Sequence, residues 1–240
     1  MNTAILKDQT LLITGAAGGL GSALAGRCAA HGATVVLLDK NAKGLETVYD
    51  AIVAAGGPEP LLLPADLEGI SPDDCQAIVA QLNSDFGRLN GLIHCAARFD
   101  GLTPHGHLAG DEWLRVMQAN LNGPWLLTQA CLPLLAESDP ARCIFVLENL
   151  PRVAGPHWGA YGVSKHALMA LVKQLREELE HSGVTVFGFN PGPMMTALRS
   201  QAFVRASADD APDPEIAAER LVTILASVAN PASFIDLEAD

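Results

Sequence analysis

A chain of 240 residues, 49% hydrophobic and only 18% charged, can bury a large core, and no disordered tail, repeat or low-complexity block divides it. Its 27 acidic residues outweigh 15 basic ones, and the net charge of -12 argues against nucleic acid as a partner. The N-terminus with Lys7 and Asp8 lacks a secretory signal pattern, no apolar run is long enough for a bilayer, and five scattered cysteines without Cys-x-x-Cys spacing fit a reduced cytoplasm.

Apolar runs of strand length recur at 10–14, 34–38, 61–64, 91–94, 143–147 and 184–189, with 234–237 as a short edge strand. Helical periodicity fills the intervals 20–30, 42–55, 73–86, 113–135, 161–181 and 214–229. Strands apolar on both faces that alternate with helices predict an α/β fold, a single-domain Rossmann-like doubly wound parallel sheet with helices on both faces. Ser71-Pro72 reads as an N-cap followed by proline at the first helical position, and Gly183 as the residue that ends the long fifth helix. Asn190-Pro191-Gly192-Pro193 stops the sixth strand, because proline brings no backbone donor to a ladder.

Directly after the first strand stands Thr14-Gly15-Ala16-Ala17-Gly18-Gly19-Leu20-Gly21, followed by a helical run. Glycines there let the backbone approach a pyrophosphate, whose charge is favoured by the free N–H groups of the helix start; a plain tight turn is the simpler alternative. Asp39 closes the second strand 18 residues beyond Gly21, near the ~20 expected of a carboxylate that accepts from adenosine ribose hydroxyls. It would repel a 2′-phosphate, which favours NAD, whereas the neighbouring Lys40 leaves NADP open. Asp66, at the end of the third strand, reads either as an adenine contact or as a strand-end cap.

Tyr161 and Lys165, four residues apart in Tyr161-Gly162-Val163-Ser164-Lys165, would share one helical face. A cation beside a phenol favours the phenolate and suits the tyrosine to proton exchange with an alcohol or carbonyl. The dyad His105-Gly106-His107 lacks the surrounding ligands of a metal site and reads as part of a substrate loop. No Gly-x-Ser-x-Gly elbow points to a hydrolase.

With Thr14-Gly-x-x-x-Gly19-x-Gly21, Asp66-Leu67, Trp113 with Asn120, Tyr161-x-x-x-Lys165 and Pro191-Gly192-x-x-x-Thr196 in this order, nearly the whole chain resembles the classical short-chain dehydrogenase/reductase family. The resemblance implies one domain over residues 1–240, with 1–90 mainly binding the dinucleotide and 91–240 carrying the catalytic and substrate half. It implies Tyr161 as acid/base, Lys165 as the residue that lowers its pKa and binds the nicotinamide ribose, and Asn120 as holder of a water in the proton path. Thr14, Gly15, Gly18, Gly19, Leu20, Gly21, Asp39, Asp66, Leu67, Ala96, Pro191, Gly192 and Thr196 would line the cofactor, with Thr196 opening a mobile loop to about residue 212. A homodimer or homotetramer in the cytoplasm acting on a small carbonyl or alcohol substrate, without nucleic acid or membrane partners, follows from the same resemblance.

The sequence also departs from that pattern. Thirteen residues before Tyr161, where the family places a catalytic serine, stands Glu148. An ionised carboxylate cannot donate to a substrate oxygen and opposes a phenolate by like charge. Glu148 is then either protonated and donating, or ionised on a cationic partner such as Lys165 or a substrate amine, or turned away while Asn149 donates. Cys95-Ala96-Ala97 stands where the family shows Asn-Ala-Gly; Ala97 is harmless only with a negative φ, and Cys95 reads as an ordinary buried cysteine. Three functions follow: an NAD(P)-dependent oxidoreductase with a non-standard site, a catalytically impaired dinucleotide-binding or interaction protein, or a modified reaction in which the Glu148 carboxyl takes part.

Overall fold

The sheet is assembled from strands whose alternate residues feed two different cores. Leu11 and Ile13 of β1 (Thr10–Thr14) and Val35 and Leu37 of β2 (Thr34–Asp39) face one layer of helices, while Leu12, Val36 and Leu38 face the other. A strand buried on both sides has no polar face to spare, which is why these runs read as continuous apolar sequence. The computed structural model describes residues 4–203, 211–227 and 231–238.

Seven parallel strands take the order β3-β2-β1-β4-β5-β6-β7, with β3 at Leu61–Pro64, β4 at Gly91–His94, β5 at Ala141–Val146, β6 at Val184–Asn190 and β7 at Phe234–Asp236. One face carries α1 (Gly19–Ala30) and α9 (Pro214–Ala226), whose Leu24 and Leu221 share a core with Phe187 and Phe189. The other carries α3 (Pro72–Phe86), α5 (Gly123–Ala136) and α7 (Gly159–Glu178), with Leu82, Leu127 and Val172 against Phe145. The remaining helices are α2 (Ala42–Ala54), α4 (Gly110–Met117), α6 (Leu150–Val153) and α8 (Ala197–Ala202). From β1 the chain winds outward to β3, then returns to add β4 on the other side, so the strand order reverses between β1 and β4. A ligand crevice is expected at the carboxyl ends of strands at such a point.

The predicted strands fall on the observed ones; the fifth begins and ends slightly earlier, at Ala141 and Val146, and the edge strand lies parallel to β6 with Phe234 opposite Gly188. Ser71 caps α3 in a reciprocal capping box with Asp74, as Ser71-Pro72 suggested. Three expectations change. The helix read over 113–135 is present but passes through a π-helical turn at Gln118–Asn122 between α4 and α5, the turn where Asn120 bonds to the loop after β4. Gly183 is not the residue after the helix: α7 stops at Glu178 with Leu179 as its C-cap, and Gly183, φ 81°, belongs to the following turn. Asp66 stands two residues past the end of β3 rather than on it. Of the helix read to 229, α9 accounts for the part to Ala226, and residues 228 and 229 lie outside the described residues, as do 204–210 of the expected substrate loop.

Candidate active site

The crevice at the carboxyl ends of β1 and β4 is walled at one end by the glycine loop. Gly15 has φ 66° and passes so close to the next strand that an added Cβ would lie 2.7 Å from the backbone N and Cα of Ala96. Only glycine fits on both counts, steric and conformational. The loop folds on itself through Gly18 N–H to the Gly15 carbonyl (2.9 Å) and delivers Gly18, Gly19, Leu20 and Gly21 as the N-cap and first turn of α1. No side chain caps this helix, and no acidic residue occupies its first turn. Its free N–H groups therefore face the crevice as an anion site, which is what a pyrophosphate requires. Thr196 closes over them, since a Cβ on Gly19 would lie 2.6 Å from Thr196 Cγ2. Pro191, Gly192 and Ala96 line the same crevice, while Thr14 is buried behind it and accepts from Ala96 N–H at 3.2 Å.

Asp39 also lines the crevice, held by Ala17 N–H (3.1 Å) and Asn41 N–H (2.9 Å). Asp66 accepts from Glu68 N–H at 3.0 Å, the cap geometry, and lines the crevice together with Leu67. Lys40 and Arg98 both bind Glu68, at 3.0 and 2.6 Å. Glu68 and Arg98 were not singled out from the sequence; nothing local marks a glutamate and an arginine 30 residues apart as partners.

At the other end Tyr161 and Lys165 do share one face of α7, both buried, with the ammonium 5.5 Å from the ring centroid. Lys165 Nζ donates to the Val146 carbonyl (2.8 Å). Burial pushes the ammonium down to about 8, against the opposing pull of Glu148 and Cys95. The phenol does not behave as the spacing alone suggested: burial, reinforced by the charge of Glu148 and a hydrogen bond to it, holds Tyr161 well above the usual tyrosine value. Its hydroxyl donates to Glu148 Oε2 at 3.3 Å, while Glu148 Oε1 accepts from Asn149 N–H at 3.0 Å. Glu148 therefore points at the tyrosine and not away from it. Asn149 caps α6 through its Oδ1 at Arg152 N–H and spends one of its two Nδ2 hydrogens on Glu238 (2.6 Å).

Arg152, four residues after Glu148, lies 3.9 Å from that carboxylate and pairs closely with Glu238 near the C-terminus. The i,i+4 spacing could have signalled the first contact; no sequence pattern signals the second. Asn120, buried in the π-helical turn, accepts from Arg98 N–H (2.6 Å) and donates to the Arg98 carbonyl (2.9 Å) and to Ser164 Oγ (3.2 Å), so it ties the loop after β4 to α7. Ala97 is not among the residues of positive φ, so its methyl is accommodated; Cys95 is half-buried in the crevice wall rather than fully buried as expected, and desolvation of its thiol pushes it up to about 12, outside the range of a reactive thiolate. His105–His107 forms a short 3-10 turn, and no cluster of three or more potential metal ligands occurs among the described residues.

Residues 9–206 match the short chain dehydrogenase family. The chain belongs to that family. It is 34% identical over 199 residues to the uncharacterized oxidoreductase YciK of Escherichia coli (strain K12), covering 83% of this chain and 79% of that one. Among solved structures it is similar to a short chain dehydrogenase from Pseudomonas syringae, with a TM-score of 0.93, 35% identity and coverage of 97% and 95% of the two chains. A short chain dehydrogenase from Shigella flexneri 2a str. 301, complexed with NADP, superposes with a TM-score of 0.92 at 30% identity over 97% of each chain. One from Escherichia coli CFT073, complexed with NADPH, gives 0.87 at 32% identity over 94% and 92%. The seven-stranded sheet is thus this family's fold, and no helix among the described residues is long and apolar enough to cross a membrane.

The contact between Tyr161 and Glu148 can be read in solution, because the chain has only two tyrosines and the other, Tyr49, is half-buried on α2 with its hydroxyl on Glu59, so it can be replaced without touching the crevice. In a Tyr49→Phe background, Glu148→Gln should bring Tyr161 ionisation to lower pH, since the charge that raises it is gone while the buried position remains. The check is tyrosinate absorbance against pH, and identical curves for the two proteins would exclude the contact.

Proposed function

We propose that the protein is a nicotinamide-dinucleotide-dependent oxidoreductase acting on a carbonyl or secondary alcohol, with Tyr161 exchanging the proton. The observation that carries this is one crevice with an uncapped helix N-terminus at one end and the Tyr161/Lys165 pair at the other. The backbone of Gly18, Gly19, Leu20 and Gly21 would receive the pyrophosphate, with Thr14 and Gly15 setting the loop. Asp39 would accept from the adenosine ribose, Asp66 and Leu67 would flank adenine, and Ala96, Pro191, Gly192 and Thr196 would flank the nicotinamide side, with Lys165 at its ribose. The bound dinucleotide would supply or accept hydride.

The chain's own residues supply and steady the proton of this step. Burial and Glu148 hold Tyr161 in its protonated form, so in the reductive direction its hydroxyl is the group that gives a proton to the carbonyl oxygen. To do so its hydroxyl must exchange Glu148 Oε2 for the substrate. Glu148 takes the place of the family's serine in this proposal, and Arg152 beside it offsets its charge. Asn120 holds the loop and helix around Tyr161 in register through Arg98 and Ser164, and a water carried there would continue the proton path.

A second reading, an impaired dinucleotide-binding protein, is favoured by the same carboxylate: it occupies the hydroxyl that chemistry requires. For the cofactor, Asp39 favours NAD, being fixed by two backbone N–H groups where a 2′-phosphate would crowd it, and Lys40 is engaged by Glu68. The NADP and NADPH complexes of relatives stand against that preference. Exposed Leu114, Trp125 and Val163 on α4, α5 and α7 are the surface proposed for homodimer or homotetramer contacts.

Tyr161→Phe should lower turnover about a hundredfold or more while dinucleotide affinity holds, because it removes the proton donor alone; unchanged turnover excludes the mechanism. Glu148→Ser, assayed beside it, should lower or hold turnover, whereas a clear gain at constant dinucleotide affinity identifies the impaired protein. Asp39→Ala should cost NADH about tenfold in affinity and bring NADPH closer to it, measured as the ratio of dissociation constants; an unaltered ratio removes Asp39 from cofactor choice. Sedimentation velocity should show a dimer or tetramer, and a monomer would remove the oligomer from the proposal.

A further inference from the structure

Five cationic side chains line the crevice: Lys40, Arg98, Arg152, Lys165 and Arg199. Four are committed. Lys40 and Arg98 share Glu68, and Arg98 also holds Asp100 at 2.8 Å. Arg152 is paired with Glu238, with Glu148 next to it, and Lys165 donates to the Val146 carbonyl. Arg199, on α8, has neither a carboxylate nor any hydrogen-bond acceptor among the described residues, and its Nε is buried without a partner. What holds the guanidinium is a ring: its Cζ lies 4.5 Å from the Phe203 centroid. A partly dehydrated guanidinium with unmet donors is costly unless an anion completes it, and its planar fork matches a carboxylate.

Its neighbours say where such an anion would sit. Phe203 is 6.4 Å from Trp158, and Trp158 is 5.9 Å from Tyr161, with Phe99 stacked on Trp158 at 5.4 Å. Leu198 and Ala202, on the same short helix as Arg199, pack in this cluster beside Tyr161. A row of aromatic rings therefore links the Tyr161 side chain, through Trp158 and Phe203, to the Arg199 guanidinium, and these residues line the crevice together. A molecule spanning it needs an oxygen for the tyrosine at one end, a flat apolar middle, and a negative charge at the other end.

We infer that the substrate is an aromatic or similarly flat apolar carbonyl compound that carries a carboxylate, with the carboxylate on Arg199 and the carbonyl at Tyr161. This rests on the oxidoreductase reading for the role of Tyr161, but the charge preference is measurable without turnover. The other anion that could reach the crevice is a phosphate of the dinucleotide, and the experiment separates the two.

Calorimetric titration of the full-length protein with 4-acetylbenzoate and with its methyl ester, in the presence of NAD+ so that no reaction occurs, reads the preference directly. The expected result is an acid-over-ester preference of tenfold or more, lost in Arg199→Ala and in the bulkier Arg199→Gln, with NAD+ and NADPH affinities unchanged in both. Equal binding of acid and ester by the parent protein overturns the inference. So does an Arg199 variant that loses dinucleotide affinity and keeps the acid preference, which would give the arginine to a cofactor phosphate. If the Arg199-dependent preference is present but NADH reduces neither compound, the ligand class stands and the oxidoreductase reading fails.

Discussion

The segments that leave β1 and β4 nearly touch where Gly15 crosses Ala96, leaving no room for a Cβ. That approach lies where the strand order reverses, at the end of the crevice that the glycine loop walls. Thr14 Oγ1 fixes it from below by accepting from Ala96 N–H. Because the loop turns so tightly, α1 begins at once and its first N–H groups face the opening rather than a side chain. The glycine loop, the segment after β4 and the Pro191–Thr196 loop then meet around one space, with Thr196 seated on Gly19.

Charge is distributed unevenly along that space. Acidic residues exceed basic ones in the chain, and three of the cations along the crevice are paired with carboxylates: Lys40 and Arg98 share Glu68, and Arg152 takes Glu238. The unmatched groups are the informative ones. Tyr161 and Lys165 are both driven toward their neutral forms by burial, so the pair that spacing presents as phenolate and ammonium is, in the folded chain, a proton donor over a weakly held charge. Arg199 is the cation left beside the row of aromatic rings. The C-terminal segment contributes through Glu238, which reaches Asn149 and Arg152 across the end of β6 and so stiffens the turn that presents Glu148.

Several parts of this were legible in the residues. The strands were readable because burial on both faces forces continuous apolar runs, and the glycine loop because its position between strand and helix leaves few other uses for it. The π-helical turn between α4 and α5 was not, since it accompanies the bond of Asn120 to Arg98, a contact between segments 22 residues apart. Gly183 was misplaced because α7 ends in a turn before the glycine, and a positive φ in a turn looks the same in sequence as one at a helix end.

The sequence by itself determined the order of elements and that a glutamate stands thirteen residues before Tyr161, because these follow from periodicity and spacing along one chain, and its motifs carried the resemblance to the family that the chain matches. Only the tertiary structure decided that Glu148 turns toward Tyr161, that Asn149 reaches Glu238, and that Arg152 and Glu238 stand behind them. Side-chain direction and desolvation are set by what packs around a residue from distant segments, and the protonation of a buried phenol follows from that packing rather than from its neighbours in sequence.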